Sequence, residues 1–131
     1  MEKAKVLIVD DDVATLEVFR GGLCGAGYSV ETAENDLEMR KILERLRPDI
    51  ILMDISMPGL DGISLCREIR RSPGTLDIPI LMLSAFTDEK TVHDAMLFGA
   101  SGFLSKPCDI SQLASYIDEL IKKNKSKRGE L

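Results

Sequence analysis

The sequence predicts an α/β domain in which one doubly wound parallel sheet of five strands carries five helices. Short apolar runs alternate with segments whose apolar residues recur at the 3.6-residue period of a helix. The 131 residues suffice for one domain, and the apolar content is ordinary for a folded protein. In addition, several predicted strands end directly before an acidic, hydroxyl or ammonium side chain, as at Asp10, Asp54, Ser84 and Lys106.

The first half of the chain alternates strand and helix. We expect strands at residues 4–9, 28–32 and 50–53, and helices at residues 13–26 and 36–45. The first helix has its apolar residues on one stripe and ends at Gly27, which can adopt the left-handed conformation. The second helix has Met39, Ile42 and Leu46 as its buried row, and Pro48 follows it as a break.

The second half begins with a turn-forming segment at residues 56–62, for which we expect no regular structure. Strands follow at residues 79–83 and 101–105, and helices at residues 63–71, from a cap at Thr87 or Asp88 to about residue 98, and from a cap at Asp109 onward. The apolar row of the last helix is Ile110, Leu113, Ile117 and Leu120.

The order of the strands follows from their burial. Continuous apolar runs are typical of strands buried on both faces, and the first, third and fourth strands have them. The second and fifth strands are shorter or more polar, which suits the edges of a sheet. With short right-handed crossovers, this favours the order 2-1-3-4-5. The winding then reverses between the first and third strands, where a crevice suitable for a ligand opens.

Carboxylates are expected at that crevice. Asp10 and Asp11 follow the first strand and Asp54 follows the third. Carboxylates held close together repel, and a hard cation such as Mg²⁺ relieves the repulsion. A backbone carbonyl after Asp54, that of Ser56, could supply a further oxygen ligand. Asp12 is instead expected to cap the helix that follows it.

The remaining polar residues at the same edge suit an anion. Lys106 can pair with Asp54 and later with a phosphoryl oxygen, and Ser84 can donate a hydrogen bond. A carboxylate beside Mg²⁺ can act as a nucleophile toward phosphorus, with Mg²⁺ and Lys106 neutralising the growing charge. The sequence therefore predicts a site at which one of these carboxylates is loaded with a phosphoryl group, which water later removes.

Charge and cysteine content disfavour other classes of protein. The net charge of −5 argues against nucleic-acid binding, because a nucleic-acid-binding domain needs a basic face. The cysteines form no zinc-ligand spacing, and His93 is the single histidine, so we expect no zinc site. We expect reduced thiols in a cytoplasmic protein, with Cys24 and Cys66 buried as small hydrophobic side chains. No apolar stretch approaches the roughly 20 residues that span a membrane.

Four motifs together resemble the signature of bacterial response regulator receiver domains, the CheY-like members of the flavodoxin-like fold. The resemblance covers residues 4 to about 122, and the motifs are Val9-Asp10-Asp11, Met53 to Gly62, Leu83-Ser84-Ala85 and Lys106-Pro107. It implies a switch protein of two-component signalling that is phosphorylated on Asp54 by the phosphohistidine of a sensor kinase or phosphotransfer protein. It also implies that the protein catalyses its own phosphorylation and slow dephosphorylation and is otherwise not an enzyme.

The resemblance also assigns roles to individual residues. Asp10, Asp11, Asp54 and the Ser56 carbonyl would hold Mg²⁺, while Ser84 and Lys106 would bind the phosphoryl group. The Lys106–Pro107 peptide bond would be cis. Ser84, Ala85 and Phe103 would form the switch that reshapes the face made by the fourth helix, fifth strand and fifth helix, where an output partner binds. A homodimer formed on phosphorylation is also compatible with the resemblance.

Two features depart from the family pattern or extend beyond it. Phe103 lacks the hydroxyl that a tyrosine would carry there, and Phe86 is bulky enough to hinder water near the phosphoryl group and slow its loss. We expect residues 1–123 to form the receiver domain. The basic residues 124–131 form either a solvated tail or the start of a linker.

Three rival functions are weaker. An aspartate-nucleophile phosphatase of the haloacid-dehalogenase type expects Thr or Val where this chain has Ala14. A nucleotide- or flavin-binding protein of this fold would need a glycine-rich phosphate loop after the first strand, and none is present. A receiver-like domain that binds its partner without phosphorylation would not need the complete set of acids, Ser84 and Lys106.

Overall fold

The structure, a computed structural model, describes residues 3–57, 60–85, 88–127 and 129, with only the backbone for residues 56, 57 and 60. The strands of its main sheet are β1 (Lys5–Val9), β2 (Ser29–Ala33), β3 (Ile50–Asp54), β4 (Ile80–Ser84) and β5 (Gly102–Ser105). The helices are α1 (Val13–Gly25), α2 (Asp36–Arg45), α3 (Gly62–Arg71), α4 (Glu89–Leu97) and α5 (Ile110–Lys127).

The five strands are parallel and lie in the order β2-β1-β3-β4-β5, which confirms the predicted fold class and strand order. The strand order follows from the burial of each strand, as the apolar runs in the sequence indicate. The residues of β4 are all buried, as are those of β1 and β3 except at one end, whereas most of β2 and β5 is only partly buried. The interior strands therefore hold the apolar runs, and the more polar strands take the edges.

Two apolar layers enclose the sheet. Successive residues of a strand point to opposite faces, so alternate residues of β1, β3 and β4 enter different layers. One layer joins the sheet to α2, α3 and α4, and includes Leu7, Met53 and Met82. The other joins the sheet to α1 and α5, and includes Ile8 and Leu52. Both faces of the central strands are thus covered, and polar groups can approach them only at the strand ends.

The helix caps follow the sequence. Asp12, Asp88 and Asp109 each accept a backbone hydrogen bond at the start of α1, α4 and α5. Thr87, the alternative cap of α4, lies outside the described residues. Gly27 has a φ of 104°, the left-handed conformation expected after α1. The last helix runs to Lys127, beyond the expected domain boundary at residue 123.

Two sequence-based predictions are wrong. Residues 56–62 are not wholly irregular, because Ser56–Met57 pairs antiparallel with Leu60–Asp61. Turn-forming residues permit such a pair, since two-residue connections commonly join antiparallel strands. Cys24 is exposed, whereas Cys66 is buried as expected. Cys24 directly follows Leu23, the last residue of the buried row of α1, and therefore lies about 100° around the helix from it.

Within the described part of the chain, no helix is both long and apolar enough to cross a membrane.

Tyr28 connects the edge of the sheet to α5. Its ring is 3% exposed, and its hydroxyl lies 2.5 Å from the carboxylate of Asp118 and 3.2 Å from the carbonyl oxygen of Ala114. Burial, followed by the hydrogen bond to Asp118 and its charge, raises the pKa of Tyr28 far above its ordinary value. The phenol is therefore a neutral donor that holds α5 against the start of β2.

We expect Tyr28→Phe to lower the free energy of unfolding by about 1.5–3 kcal/mol, the range for a hydrogen bond to a charged group. Urea unfolding should show a lower midpoint with an unchanged m-value. Tyr116→Phe is the matched control, because the hydroxyl of Tyr116 has no hydrogen-bond partner within the described residues. Equal losses in the two variants would contradict this role of Tyr28.

Candidate functional site

The register of the sheet brings the predicted site residues to one edge. Val9 pairs with Met53, so Asp10 and Asp54 lie at the same level on neighbouring strands. Asp54 pairs with Leu83, which places Ser84 one residue further along β4. Ser84 in turn pairs with Ser105, so Lys106 lies one residue beyond that pair. The strand ends thus form a diagonal row of functional groups.

Three carboxylates form a cluster at this edge. Asp10, Asp11 and Asp54 each place a carboxylate oxygen within 4.8 Å of the others. Asp10 is buried, Asp54 is partly buried and Asp11 is exposed, so the cluster opens toward solvent on one side. Three like charges this close repel strongly, especially where burial reduces screening. The set of oxygen donors fits a hard divalent cation.

Lys106 provides the positive charge of the site. Its Nζ lies 2.7 Å from Oδ2 of Asp10 and 3.6 Å from Oδ1 of Asp54. The predicted ion pair with Asp54 is therefore present, but the shorter contact is with Asp10. Burial lowers the pKa of Lys106, but the hydrogen bond to Asp10 and the charges of Asp10 and Asp54 outweigh it and leave this pKa above its ordinary value. Lys106 is thus a fixed cation at neutral pH.

The backbone around Lys106 and Asp10 holds both side chains in place. The amide of Lys106 donates to the carbonyl oxygen of Ser84 at 2.9 Å, and the Lys106–Pro107 peptide bond is cis. The amide of Asp12 donates to Oδ1 of Asp10 at 3.0 Å. Asp12 also caps α1, and its other oxygen accepts from the hydroxyl of Thr15. Asp10 therefore has one oxygen held by an amide and the other by Lys106.

The other predicted site residues lie around this cluster. Ser84 is 1% exposed at the end of β4, whereas Ala85 is exposed. Phe103 of β5 is partly buried against the apolar layer under α2, α3 and α4. The backbone of Ser56 pairs with Asp61 two residues beyond Asp54. Phe86, expected to slow loss of the phosphoryl group, lies outside the described residues.

Gly62 gives little signal in the sequence beyond its place after a turn, yet it contacts the backbone of Asp54. A Cβ on Gly62 would overlap the carbonyl oxygen of Asp54 and lie 2.8 Å from Cα of Ile55. The amide of Gly62 donates to the carbonyl oxygen of Ile55 at 2.8 Å. The start of α3 therefore supports the end of β3, and only a residue without a side chain permits this approach.

An apolar groove borders the site on the side of α1. It has a volume of about 510 Å³ and is lined by Val18, Phe19, Ala85, Lys106, Pro107 and Cys108 among others. Val18 is 65% exposed there. The groove therefore places apolar surface directly beside the charged end of Lys106.

Comparison with known proteins identifies relatives that match most of the chain. Residues 6–118 match the family model described as "Response regulator receiver domain". Response regulator MprA of Mycobacterium leprae is 38% identical over 121 residues, 92% of this chain and 52% of that protein. The DNA-binding dual master transcriptional regulator RpaA of Synechocystis sp. is 32% identical over 119 residues, 91% of this chain and 49% of that protein. The chain thus spans about half the length of these curated relatives.

Among solved structures, chemotaxis protein CheY4 of Vibrio cholerae superposes with a TM-score of 0.85 at 32% sequence identity. The superposition covers 89% of this chain and 98% of that one.

We expect Gly62→Ala to lower the free energy of unfolding by about 2–4 kcal/mol and to displace Asp54, because the added methyl group has no space. Chemical denaturation measures the first effect, and the NMR chemical shift of the Asp54 amide measures the second. Gly21→Ala is the control: its Cβ would meet no atom within 4 Å, and the change should stabilise α1 by about 0.5–1 kcal/mol. A Gly62→Ala protein as stable as the wild type would refute the close-approach argument.

Proposed function

The chain belongs to the response regulator receiver domain family, which acts in two-component signalling, and we propose that Asp54 is its phosphoacceptor. The donor would be the phosphohistidine of a histidine kinase or of a histidine phosphotransfer protein. The observation that carries the proposal is the placement of Asp54, whose carboxylate lies in the three-acid cluster with Lys106 Nζ 3.6 Å from Oδ1.

The acidic cluster would hold Mg²⁺, the ion that receiver domains use at their acidic pocket. Asp10, Asp11 and Asp54 would supply carboxylate oxygens, and the carbonyl of Ser56 would supply a further one. The fit rests on three oxygen donors within 4.8 Å of one another, open to solvent through Asp11. When bound, the ion would offset negative charge on the phosphoryl oxygens.

The transfer itself is an in-line displacement at phosphorus. An oxygen of Asp54 forms a bond to phosphorus as the bond between phosphorus and the donor imidazole nitrogen breaks, and the imidazole leaves with that electron pair. Lys106, already desolvated and fixed beside the acids, neutralises charge on one phosphoryl oxygen. The hydroxyl of Ser84 donates to another. The cis Lys106–Pro107 bond belongs to the same turn.

The product is an acyl phosphate that water hydrolyses. Attack of water on phosphorus breaks the bond to the Asp54 oxygen and returns the free carboxylate and inorganic phosphate. In each cycle one phosphoryl group is transferred to the protein itself and then hydrolysed. The protein would therefore act as a self-modifying switch and not as an enzyme that turns over a separate substrate. We infer slow hydrolysis, with Phe86, two residues after Ser84 in the sequence, as the residue that hinders water.

The output of the switch would be a change in surface. Movement of Ser84 toward the phosphoryl group would be followed by Ala85 and by an inward turn of Phe103. Because Phe103 is already partly buried against the apolar layer, its inward state would depend on burial and not on a hydroxyl. The face made by α4, β5 and α5 would then bind an output partner or a second copy of the chain.

The setting of the domain follows from its relatives and its cysteines. Receiver domains interact with histidine kinases and output domains, and RpaA is by name a DNA-binding regulator. We propose that this chain is a stand-alone receiver or the receiver module of a longer protein. In the latter case the basic residues 124–131 would begin a linker. Its three unpaired thiols fit a reducing cytoplasm.

Incubation with acetyl phosphate and Mg²⁺ should add one phosphoryl group, a gain of about 80 Da in intact mass. The gain should disappear in Asp54→Asn and after removal of Mg²⁺ with EDTA, because the nucleophile or the charge neutralisation is lost. Asp49→Asn is the control, because Asp49 lies before β3 at the opposite ends of the strands from Asp54. There its carboxylate accepts a hydrogen bond from the amide of Lys5. Phosphorylation that persists in Asp54→Asn, or sustained turnover of a phosphomonoester in place of a stoichiometric mass gain from acetyl phosphate, would overturn the proposal.

Lys106 and Asp10 should separate metal binding from phosphoryl transfer. Lys106→Ala removes a positive charge beside the acids, so calorimetric titration with Mg²⁺ should show equal or tighter binding while phosphoryl uptake falls at least about ten-fold. Asp10→Ala should weaken Mg²⁺ binding by at least about ten-fold. Lys41→Ala, a change at an exposed lysine of α2, should alter neither. Weaker Mg²⁺ binding in Lys106→Ala would show that the lysine does not oppose the ion.

A further inference from the structure

Helix α4 is held unevenly along its length. Among the residues of this helix, Ala95 is the one that is buried, and it lies in the last turns. The first turn contains exposed Glu89 and Lys90, and it is capped by hydrogen bonds between Asp88 and Thr91, which are local to the helix itself. By contrast, α1 and α5 each bury three large apolar side chains.

Two arginines of α3, about one helical turn apart, contact the C-terminal end of α4. The guanidinium carbon of Arg67 lies 5.4 Å from the centroid of the Phe98 ring, a cation–π geometry. Arg70 Nε donates to the carbonyl oxygen of Gly99 at 2.9 Å. We call these four residues, Arg67, Arg70, Phe98 and Gly99, the clasp.

Arg70 also fixes the clasp to the sheet. Its guanidinium donates to the carbonyl oxygen of Ile78 at 2.6 Å and to the hydroxyl of Ser101 at 3.3 Å. That hydroxyl accepts from the amide of Ile80 at 3.1 Å, at the start of β4. One side chain therefore joins the end of α3, the start of β4 and the residues that lead into β5. These residues lie at the amino-terminal ends of the parallel strands, whereas Asp54 lies at the carboxyl-terminal ends.

Gly99 allows the side chain of Arg70 to approach the backbone at the end of α4. It has a φ of 111°, and a Cβ there would lie 2.6 Å from Cγ of Arg70. A side chain would therefore strain the backbone and push Arg70 away. The turn is further fixed by the amide of Ala100, which donates to the carbonyl oxygen of Ala95 at 3.0 Å.

We infer that the clasp is the fixed pivot about which α4 tilts when the site changes state. The N-terminal end of α4 follows Ser84 and Ala85 along the chain, and residues 89–94 include no fully buried side chain. Its C-terminal end is bound to α3 and, through Arg70, to residues that flank β4 and β5. A displacement at the site therefore moves the first turns of α4 most and the clasp least. The inference rests on the proposed function, because it takes phosphorylation of Asp54 as the event that moves Ser84.

Amide hydrogen exchange followed by NMR tests the pivot in the resting full chain. The amide of Val92 donates to Asp88 and that of Ala100 donates to Ala95, so both report hydrogen bonds of the α4 region. We expect Val92 to exchange at least about ten-fold faster than Ala100 in the wild type. Arg70→Gln should speed exchange at Gly99 and Ala100 by at least about five-fold and leave Val92 within two-fold, roughly the reproducibility expected of such rates.

Arg71→Gln is the matched control, because Arg71 is an exposed arginine at the end of the same helix. It should leave Gly99 and Ala100 unchanged. If Arg70→Gln does not fold, Phe98→Leu removes the cation–π contact alone and should speed exchange at Gly99 and Ala100 in the same direction. Unchanged exchange at these amides in the folded variant would overturn the clasp.

Adding beryllium fluoride and Mg²⁺, a stable mimic of the phosphoryl group, tests the tilt. In the wild type, exchange should change most at residues 89–93 and by less than about two-fold at residues 98–100, whereas in Arg70→Gln the change should extend through the clasp. Changes greatest at residues 98–100 of the wild type would overturn the pivot. The mass gain from acetyl phosphate is measured separately, so failure of phosphorylation is distinguishable, and the resting-state comparison then still decides the clasp.

Discussion

The close approach of three carboxylates is the constraint on which the rest of the structure depends. Carboxylate oxygens of Asp10, Asp11 and Asp54 lie within 4.8 Å of one another, and the register of β1 and β3 places the backbones of Asp10 and Asp54 side by side. Lys106 supplies one positive charge against three negative ones, and its shortest contact is with the most buried acid. A negative surplus remains, and it makes the edge receptive to a divalent cation and thereby to an anionic phosphoryl group.

Such an edge is tolerated because stability comes from elsewhere. The two apolar layers on either side of the sheet bury the side chains of three central strands almost completely. Hydrophobic burial of this kind is insensitive to the charge of groups at the strand ends. The site can therefore gain and lose charge without threatening the fold. The site can also retain acidic side chains that repel one another, although selection for stability alone would remove them.

The fold, and the convergence of Asp10, Asp11, Asp54 and Lys106 at one end of the sheet, were predictable from the sequence because both depend on local patterns. Apolar runs of four residues identified the central strands, and polar residues directly after them identified the site edge. What failed depended on contacts distant in the sequence or on geometry at the scale of one residue. The short Lys106–Asp10 contact depends on strand stagger, and the contact of Gly62 with Asp54 depends on how α3 enters. Exposure of Cys24 depends on an angle of about 100° around α1.

The distribution of burial explains why α4 is the element suited to respond to the site. A local event of a few kcal/mol can move only an element whose own attachment is of comparable strength. Helices α1 and α5 each bury three large apolar side chains, so they would resist it, whereas α4 buries Ala95 alone among its residues. Exposed Met96 and Leu97 of α4 directly precede the clasp, so the proposed tilt would move them less than the first turns of the helix. Under the proposed function, a change of charge at Asp54 would therefore reposition the first turns of α4 before it disturbed α1 or α5.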